Sequence, residues 1–360
     1  MSTVFIHAPG RPLEYNSRVL LADFDYELPP ELIAQHPPSD RASSRLMVLD
    51  RKTAGITHAR FRDLPSFLTA DDLLVLNDTR VFPARLNARR EGAAGTIEVL
   101  LLKQKEECVW EVLLRPGRKA RPGTRLIFAP GLEAEVLQPP VGEEMTRLIR
   151  FAVSGDFWEH IERIGKMPLP PYIERDASDD SPEDRVRYQT VYARSRGSVA
   201  APTAGLHFTP ELLAELRHVQ LTLHVGYGTF QPVRTEVVEE HRMHHEEYEI
   251  REEAASKIQE QLERGRRIVA VGTTSTRVLE HIYAKHKEIR AERGSTGIFI
   301  YPGFVFRVTG ALITNFHLPK STLLLLVSAF AGTELIKWCY QEAIREKYRF
   351  YSYGDAMLIV

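Results

Sequence analysis

The stretch "RRIVAVGTTSTRVLEHIYAKHKEI", residues 266–289, decides how we expect this chain to fold. Its first part, "RRIVAVG", has the short apolar, β-branched run that is typical of a buried strand. "STRVLEHIYAKHKEI" follows after one polar turn and has the periodicity of a helix. A strand that leads directly into a helix is the repeating unit of α/β folds.

The same alternation continues on both sides of this stretch. "VQLTLHV" and "GIFIYPG" are predicted strands, and "EEAASKIQEQLERG" is a predicted helix between them. The chain closes with "STLLLLVSAFAGTELIKWCYQEAIREKYRF", which is helical in period and broken at Gly332. "DLLVLND", much earlier, reads as another buried strand. The pattern predicts an α/β main (catalytic) domain that is discontinuous, over residues 21–76 and 156–360.

A different pattern occupies residues 77–155. Five short β-type runs, "GTIEVLLLK", "CVWEVLLR", "GTRLIFA", "LEAEVLQ" and "TRLIRFAV", are separated by Gly and Pro turns with little helical period. Strands at this spacing indicate a small all-β unit. We therefore predict an inserted, barrel-like all-β domain at 77–155, and we assign residues 1–20 to an N-terminal extension.

Composition narrows the class of protein. The chain has 360 residues and a formal net charge of −1, which argues against wholesale coating of nucleic acid but allows a local basic patch. Its two cysteines, Cys108 and Cys339, exclude a disulfide framework, a zinc ribbon and a cysteine-ligated cluster. The longest apolar run, residues 323–331, is too short to span a bilayer, and no secretory signal is visible. We expect a cytoplasmic protein with no membrane segment.

One uncharged loop, "AAPTAGLHFT" at residues 200–209, places His207 just before a predicted helix. Thr209 and Pro210 are a favourable N-cap and first helical residue. The amino end of that helix would suit an anionic ligand or transition state. From spacing alone, an equally good interpretation is that His207 is a core histidine whose ring nitrogens form hydrogen bonds within the protein.

Three more sparsely charged loops lie at predicted strand ends, namely "LHVGYGTFQPV" at 223–233, "VGTTSTR" at 271–277 and "LITNFHLPKST" at 312–322. In open α/β sheets, ligands bind at the carboxyl ends of strands. A plain glycine turn is the favoured interpretation of the first loop by itself. Four consecutive hydroxyl residues favour function in the second, because a helix cap needs only one. The third loop has two equally good interpretations. It is either a functional site or a loop in which the His and Asn side chains form hydrogen bonds with backbone groups.

Two charged segments have both a functional and a structural interpretation. "HRMHHEE" brings His241, His244 and His245 to near-ligand spacing, but its acidic neighbours favour a solvated segment, and we predict no metal site. "RPGRKARPGTR", residues 115–125, carries five cations and no acid. It is either a solvated hairpin or a phosphate contact that would make RNA binding depend on salt.

In order along the chain stand "DFDYELPPELIAQHP", "LLVLNDTRVFPARL", "PLPPYIER", "YQTVYA", "GSVAAPTAGLHFT", "LTLHVGYGTFQPVR", "VAVGTTSTRVLE", "IFIYPGF", "LITNFHLPKSTLLLLVSAFAG" and "YRFYSYGDAMLI". With these motifs, residues 21–360 closely resemble the S-adenosylmethionine:tRNA ribosyltransferase-isomerase family of queuosine biosynthesis. The resemblance implies an α/β domain that carries an inserted β-barrel, in agreement with the segmentation above.

The resemblance also implies an activity. The family transfers and isomerises the ribosyl moiety of S-adenosylmethionine onto 7-aminomethyl-7-deazaguanine at the wobble position of tRNA, which gives epoxyqueuosine and releases adenine and methionine. S-adenosylmethionine is then a co-substrate, the ribosyl donor, and no permanently bound cofactor is expected. The implied partner is the tRNA anticodon stem-loop, and the implied oligomeric state is a monomer.

Such a reaction needs several proton transfers near neutral pH, for which histidine is the usual side chain. The candidate catalytic residues are His207 first, then His317 and His224, with Asp78 as an alternative base. Stacking on the donor is expected from Tyr227, Phe230 or Tyr301. The residues expected to bind S-adenosylmethionine are Gly205, Gly226, Tyr227, Gly228, Thr229, Gly272, Thr273, Thr274, Ser275 and Asn315. The residues expected to bind tRNA are Arg80, Arg89, Arg90, Arg115, Arg118, Lys119 and Arg121.

Two other classes of function remain as alternatives. A non-catalytic RNA-binding module, with the β domain as reader, would bind RNA without releasing adenine. A metal-dependent hydrolase built on His241, His244 and His245 would lose its activity with a chelator.

Overall fold

The computed structural model describes residues 3–4, 18–138, 146–175, 181–230 and 233–360, and it describes the side chains of all of these except residues 3–4 and 229–230. Strands and short helices alternate along this part of the chain. The strands are β1 Thr3–Val4, β2 Arg45–Asp50, β3 Gly55–Arg60, β4 Leu73–Asn77, β5 Thr79–Val81, β6 Arg85–Arg90, β7 Thr96–Glu106, β8 Val109–Arg115, β9 Arg125–Ala129, β10 Leu132–Val136, β11 Arg147–Val153, β12 Ser195–Ser198, β13 His218–Leu223, β14 Glu246–Ile250, β15 Ile268–Val271, β16 Glu292–Thr296, β17 Ala311–Asn315 and β18 Ala356–Ile359. The α-helices are α1 Phe157–Ile164, α2 Pro182–Arg187, α3 Pro210–Ala214, α4 Glu252–Glu263, α5 Gly272–His286, α6 Thr322–Ala331 and α7 Thr333–Arg345. The 3₁₀ helices are Leu21–Phe24, Pro30–Leu32, Arg41–Ser43, Phe61–Phe67, Gly117–Lys119, Thr203–His207, Tyr227–Phe230 and Val238–Glu240.

The main sheet has ten strands in the order β1-β3-β2-β18-β17-β15-β4-β13-β14-β16. Its centre is parallel, because β15 pairs in parallel with β17 and β4, and β4 pairs in parallel with β13. The carboxyl ends of these four strands therefore lie at one edge of the sheet. Antiparallel strands complete the sheet on both sides.

Both faces of the central strands are buried, which explains their nearly continuous apolar runs. In β4, Leu73 and Val75 belong to the core shared with α4–α7, whereas Leu74 and Leu76 belong to the core shared with Phe61–Phe67 and α3. This alternation follows from the two-residue period of a strand. The sheet is thus covered on both sides, and only its ends are open for a ligand.

A closed six-stranded barrel, in the order β10-β11-β8-β7-β6-β9, follows the first part of the main sheet. Its strands lie between Arg85 and Val153, inside the segment predicted as an insertion, and enclose their own hydrophobic core. The predicted fold class, an α/β main domain with an inserted all-β barrel, is confirmed. Five barrel strands match the predicted runs, and β6 is the one that the sequence pattern did not indicate.

The prediction of a strand at "GIFIYPG", residues 297–303, was wrong. The strand in this part of the chain is β16, which precedes it and pairs along the sheet edge with β14. The apolar residues after β16 instead pack as loop against the main core, where Ile300 is buried. The hydrophobicity of residues 297–303 correctly indicated that they pack against the core. The residues that pair as a strand at the edge of the sheet are the more polar ones that precede them.

The two C-terminal helices are separated at Gly332, as the sequence indicated. Gly332 has φ of 98°, which is a conformation that side-chain-bearing residues rarely adopt, so the helix cannot continue through it. Within the described ranges no single helix has the length and apolarity to cross a membrane. α6 and α7 pass that test only when taken together, and they are bent by 113° relative to each other.

Candidate active site

A cavity lies at the carboxyl ends of the central strands, and we call it the donor cavity. Its volume, open mouth included, is about 620 Å³. It is lined by Tyr172, Ala200, Ala201, Pro202, Thr203, Ala204, Val225, Gly272, Thr273, Thr274, Thr314, Asn315, Phe316, His317, Leu318, Leu323, Tyr351 and Ser352. All four sparsely charged loops contribute to it, and none of these lining residues is Asp, Glu, Lys or Arg.

The amide of Asn315, the last residue of β17, has a fixed orientation at the wall of the cavity. Its Nδ2 donates to the backbone carbonyl of Tyr351 at 3.1 Å and to Nε2 of His207 at 3.2 Å. Because a carbonyl accepts only, the tyrosine contact identifies Nδ2 as the nitrogen end. Asn315 Oδ1 is buried and has no partner among the described residues. The cavity wall therefore holds one unpaired hydrogen-bond acceptor.

His207 lies behind Asn315 and is not among the residues that line the cavity. Its Nδ1 lies 2.8 Å from Oγ of Ser44, and its ring packs at 5.0 Å, between centroids, from that of Phe61. Since Nε2 accepts from Asn315, Nδ1 must carry the proton and donate to Ser44. Burial lowers the pKa of His207 to about 3, with Arg41 acting in the same direction, so the ring is neutral at pH 7.

The helix after His207 is shorter than predicted. Thr209 caps it, with Oγ1 accepting from the amide of Leu212 at 3.2 Å, and Pro210 opens it as expected. However, α3 has only five residues, so it adds little dipole to bind an anion. Both ring nitrogens of His207 already have partners, and this arrangement favours the core interpretation of the histidine.

His317 is the histidine that lines the donor cavity. Nε2 lies 2.7 Å from Oγ1 of Thr314, and Nδ1 has no partner among the described residues. Its backbone is held at both ends, because the hydroxyl of Tyr26 donates to its carbonyl and its amide donates to the hydroxyl of Tyr340 at 2.9 Å. Burial lowers the pKa of His317 to about 3. The site thus contains a neutral, firmly positioned imidazole.

The first turn of α5 forms another wall. Gly272 has φ of 87°, and Val271 before it provides no side-chain cap, so the first amides of a fifteen-residue helix face the site without a capping group. Thr273 and Thr274 line the cavity, and Oγ1 of Thr274 is buried without a partner among the described residues. Ser275 is turned away, with its hydroxyl donating to the carbonyl of Val271 at 3.0 Å.

Tyr172, Tyr351 and Ser352 are among the lining residues that were not singled out from the sequence. Tyr172 and Tyr351 pack with ring centroids 4.7 Å apart, and the Tyr172 hydroxyl lies 2.7 Å from Oγ of Ser352. Tyr351 has φ of 70°, a strained conformation for a bulky residue, and such strain is concentrated at functional sites. The motifs "PLPPYIER" and "YRFYSYGD" contained these residues, but only the fold shows that they meet.

Asp78 and His224 lie together in a second cluster outside the donor cavity. Asp78 is buried, and its carboxylate accepts from Oγ1 of Thr222 at 2.6 Å and from Arg194 at 3.0 Å. Nδ1 of His224 lies 2.8 Å from Oγ1 of Thr79, and burial lowers its pKa. The cluster ties the ends of β4 and β13 to the crossing strands β5 and β12.

The residues of the glycine loop after β13 lie in two different environments. Gly226 donates its amide to Oε1 of Glu246 at 2.8 Å, and the Tyr227 ring packs against the core of the barrel, with its hydroxyl accepting from Arg115 at 3.2 Å. Gly228 lines a neighbouring cavity. Gly205 is buried, and a Cβ there would lie 2.1 Å from the hydroxyl of Tyr192. The side chains of Thr229 and Phe230 lie outside the described residues, and Tyr301, though partly buried against the main core, does not line the donor cavity.

The three histidines considered as metal ligands do not converge. His241 packs against Phe299 at 5.2 Å between centroids, His244 lies against Gly228, and His245 lies against Gly297. In the part of the chain that the structure describes, no three His, Cys, Asp or Glu side chains are grouped closely enough to hold a metal ion.

The predicted RNA-binding cations are carried mainly by the barrel and are mostly exposed. Arg90 donates to the carbonyl of Lys119 at 3.4 Å, which brings β6 beside the loop after β8. Arg125 is different, because it pairs with Glu91 at 3.3 Å and with Glu133 at 3.0 Å. Among the described residues, none of the cations that we expect to bind tRNA forms an ion pair. We call this set the barrel patch, and its members are Arg80, Arg89, Arg90, Arg115, Arg118, Lys119 and Arg121.

The two buried histidines make stability depend on pH. A histidine in the unfolded chain titrates at 6.5, whereas His207 and His317 titrate at about 3 in the folded protein. Between these values only the unfolded state binds the protons, so the free energy of unfolding falls as pH is lowered. Each group contributes a slope of up to about 1.4 kcal/mol per pH unit.

This slope is measured by urea unfolding from about pH 7 to about pH 4.5. The His317→Gln variant cannot take up this proton. We expect its decline below about pH 6 to be shallower than that of the unmodified protein by about 1.4 kcal/mol per pH unit. Equal slopes in the two proteins would contradict the neutral, buried state of His317.

Comparisons with known proteins agree over nearly the whole chain. The family described as queuosine biosynthesis protein matches residues 21–359. Among curated relatives, the S-adenosylmethionine:tRNA ribosyltransferase-isomerase of Acetivibrio thermocellus is 54% identical over 345 residues, covering 94% of this chain and 99% of that protein. The protein of the same name from Halothermothrix orenii is 52% identical with the same coverage. A crystal structure of S-adenosylmethionine tRNA ribosyltransferase from Thermotoga maritima matches with a TM-score of 0.53 and 40% identity, over 94% of this chain and 100% of the other.

Proposed function

The chain belongs to the queuosine biosynthesis protein family, and we propose that it catalyses the S-adenosylmethionine:tRNA ribosyltransferase-isomerase reaction for which its relatives are named. S-adenosylmethionine and tRNA are its substrates. The ribosyl moiety of the donor passes to the aminomethyl group of 7-aminomethyl-7-deazaguanine at the wobble position and is isomerised, which gives epoxyqueuosine. Adenine and methionine leave.

One observation carries the assignment of the site. Four separate loops, each at a strand end or before a helix, meet at a single cavity whose lining has hydroxyl, amide, imidazole and aromatic groups but no charged side chain. A cavity of this kind suits the adenosyl part of the donor, which brings rings and hydroxyl groups. It also keeps water from a reactive ribosyl intermediate, because its walls are largely apolar.

Asn315 and the start of α5 are proposed to orient the donor. Asn315 Oδ1 is an unpaired buried acceptor, so it selects an N–H or O–H group, such as the exocyclic amine of adenine or a ribose hydroxyl. The uncapped amides of Gly272 and Thr273, with the hydroxyl of Thr274, suit a ribose hydroxyl or the methionine carboxylate.

His317 is proposed to move a proton. The C5′ protons next to the sulfonium are acidified, and one must be removed while the ribosyl group rearranges. When Nε2–H of His317 donates to Thr314, the lone pair of Nδ1 is free to accept that proton. The same imidazolium can then return a proton to the departing adenine. General acid–base catalysis of this kind accounts for about 10²–10⁴-fold in rate.

His207, the first catalytic candidate from the sequence, is proposed to be a positioning residue. It acts through Asn315, because its unprotonated Nε2 accepts from Nδ2 of Asn315 and so helps the Tyr351 carbonyl to hold the amide. Asp78 and His224 are proposed to position the ends of β4 and β13 rather than to touch the donor. Of the glycine loop, Gly226 and Gly228 are proposed to shape the cavity entrance.

The barrel patch is proposed to hold the anticodon stem-loop. Phosphate contacts by Lys and Arg supply most of the affinity of such complexes and make it depend on salt. A chain with a net charge of −1 must concentrate its cations to grip RNA, and the barrel patch provides that concentration. The aminomethyl-deazaguanine would then be displaced from its neighbours to reach the donor.

Neutralising the barrel patch is expected to weaken tRNA binding. Replacing Arg89, Arg118, Lys119 and Arg121 with Gln removes up to four phosphate contacts, and the slope of log Kd against log salt should fall by about two to four units. Filter binding at several salt concentrations measures it. A variant that removes Arg125, whose charge is already paired, is the matched control. An unchanged slope would remove the barrel patch from the interface.

The reaction itself has a direct assay. The protein is incubated with S-adenosylmethionine and a tRNA that carries 7-aminomethyl-7-deazaguanine. We expect one molecule of free adenine to be released for each wobble nucleotide that gains mass. RNA binding without either product would support a non-catalytic module, and chelator-sensitive release of adenine with no mass gain on the nucleotide would support a metal-dependent hydrolase. The family membership favours neither alternative.

The remaining expectations complete the proposal. The protein acts as a cytoplasmic monomer, without membrane association and without a permanently bound cofactor. Its cysteines support a reducing compartment, since Cys108 and Cys339 are both free and Cys339 is buried.

A further inference from the structure

A second cavity adjoins the donor cavity, and we call it the arginine cavity. Its volume is about 920 Å³, open mouth included, and Leu323 at the start of α6 lines both cavities. α5 also runs past both, since Thr273 and Thr274 face the donor cavity and Arg277, one turn later, faces the arginine cavity. The two cavities therefore share Leu323 in their walls and lie along the same helix.

The arginine cavity contains buried polar groups that lack partners. Arg277 is 5% exposed; its Nη1 pairs with Glu246, and its Nε donates to the carbonyl of Ile298 at 3.2 Å. Nη2 of Arg277 has no partner among the described residues, and neither does the buried Oγ1 of Thr235. A buried guanidinium nitrogen costs free energy unless a ligand or water binds it.

The charges at this cavity are predominantly positive. Arg234 and Arg242 are exposed at its rim, and neither forms an ion pair with any described residue. His241 and His244 lie beside them. The carboxylates that face the cavity are Glu246, which Arg277 already neutralises, and the exposed Glu240. The donor cavity, by contrast, has no charged side chain among its lining residues.

We propose that the arginine cavity binds the acceptor nucleotide of the RNA through its flanking phosphodiester groups. The inference rests on the proposed function, in which the acceptor amine must form a bond with the ribosyl carbon of the donor. The acceptor must therefore lie in space continuous with the donor cavity, and the arginine cavity adjoins it at Leu323. An RNA nucleotide carries phosphodiester charge, which Arg234, Arg242 and the unpaired Nη2 of Arg277 match.

The test uses the full chain with Arg234 and Arg242 both replaced by Gln. Binding of a tRNA that carries 7-aminomethyl-7-deazaguanine and binding of S-adenosylmethionine alone are measured separately, the first at several salt concentrations. We expect the tRNA Kd to rise by about tenfold and the salt slope to fall by about one to two units. The donor Kd should stay within about twofold, since no donor contact is lost.

Two outcomes would overturn the inference. A weaker donor Kd with an unchanged tRNA Kd would assign the cavity to the donor's carboxylate, the other anion in the reaction. Unchanged affinity for both substrates would leave the cavity without either role. Arg264→Gln is the matched control, because it removes one exposed charge beside Leu73 and His218, the first residues of β4 and β13, and hence at the opposite end of the sheet.

Failure of this inference can be distinguished from failure of the proposed function. If the unmodified protein forms no adenine and no modified nucleotide, the proposed function fails whatever the variant binds. If the unmodified protein is active and the double variant binds tRNA as tightly as before, only the present inference fails.

Discussion

Replacing His317 with Gln is expected to lower kcat by about 10²–10⁴-fold, which is the usual contribution of one general acid–base group. Gln keeps a polar side chain of similar length but cannot take up a proton near neutral pH. The donor Kd should change by less than about threefold, because the imidazole contributes to proton transfer more than to ground-state binding. Single-turnover release of adenine measures the rate, and equilibrium dialysis measures donor binding.

A histidine at the far end of the sheet provides the control for this experiment. His218 is exposed at the start of β13, and its Nδ1 lies 2.9 Å from the carbonyl of Leu216. The His218→Gln variant should release adenine at the unmodified rate. If His317→Gln also retained its rate, proton transfer would have to be assigned to another group.

Replacing His207 with Ala is expected to impair donor binding and stability more than turnover. The change removes the acceptor for Asn315 Nδ2 and a buried ring that packs on Phe61, which together cost about 3–5 kcal/mol in the free energy of unfolding. Nδ2 of Asn315 then loses one of its two described partners and keeps the Tyr351 carbonyl, so the amide is held less firmly and the donor KM should rise by about tenfold, equivalent to about 1.4 kcal/mol. Urea unfolding and steady-state kinetics measure the two effects.

A milder variant keeps this second prediction testable if His207→Ala folds poorly. Ser44→Ala removes only the partner of Nδ1 and leaves Nε2 to hold Asn315. It should raise KM by less than His207→Ala does, with kcat nearly unchanged. A loss of kcat in His207→Ala as large as that in His317→Gln, at unchanged KM, would make His207 the proton-transfer group and contradict its positioning role.

The gathering of the loops was predictable because it follows from topology. Strand ends of a parallel sheet lie at one edge, so polar residues after β13, β15 and β17 had to come together. The separate roles of His207 and His317 were not predictable. Both stand in sparsely charged loops before helices. In the structure, His317 lines the donor cavity, whereas His207 lies behind Asn315 with both ring nitrogens hydrogen-bonded. The decisive partner of His207, Ser44, is 163 residues away in sequence, and no local pattern indicates it.

One strand and one aromatic side chain have surroundings that their local sequence does not indicate. In β6, Leu86 and Ala88 face the barrel core while Asn87 and Arg89 face outward, so the strand has the regular two-residue period. Its arginines suggested a charged patch instead of a strand. Tyr227, in turn, is expected from its aromatic ring to stack on the donor, and in the structure this ring packs on the barrel core. An inserted domain adds contacts that the surrounding loop sequence does not reveal.

The central claim is that the donor binds between β17 and α5 with Asn315 as its fixed acceptor. The most direct measurement is a crystal structure with an unreactive donor analogue bound. We expect the analogue in the donor cavity, with an N–H or O–H group at about 3 Å from Oδ1 of Asn315, His317 in contact with it and His207 still bonded to Ser44. An analogue bound in the arginine cavity or on the barrel, with Oδ1 of Asn315 still unpaired, would contradict the account.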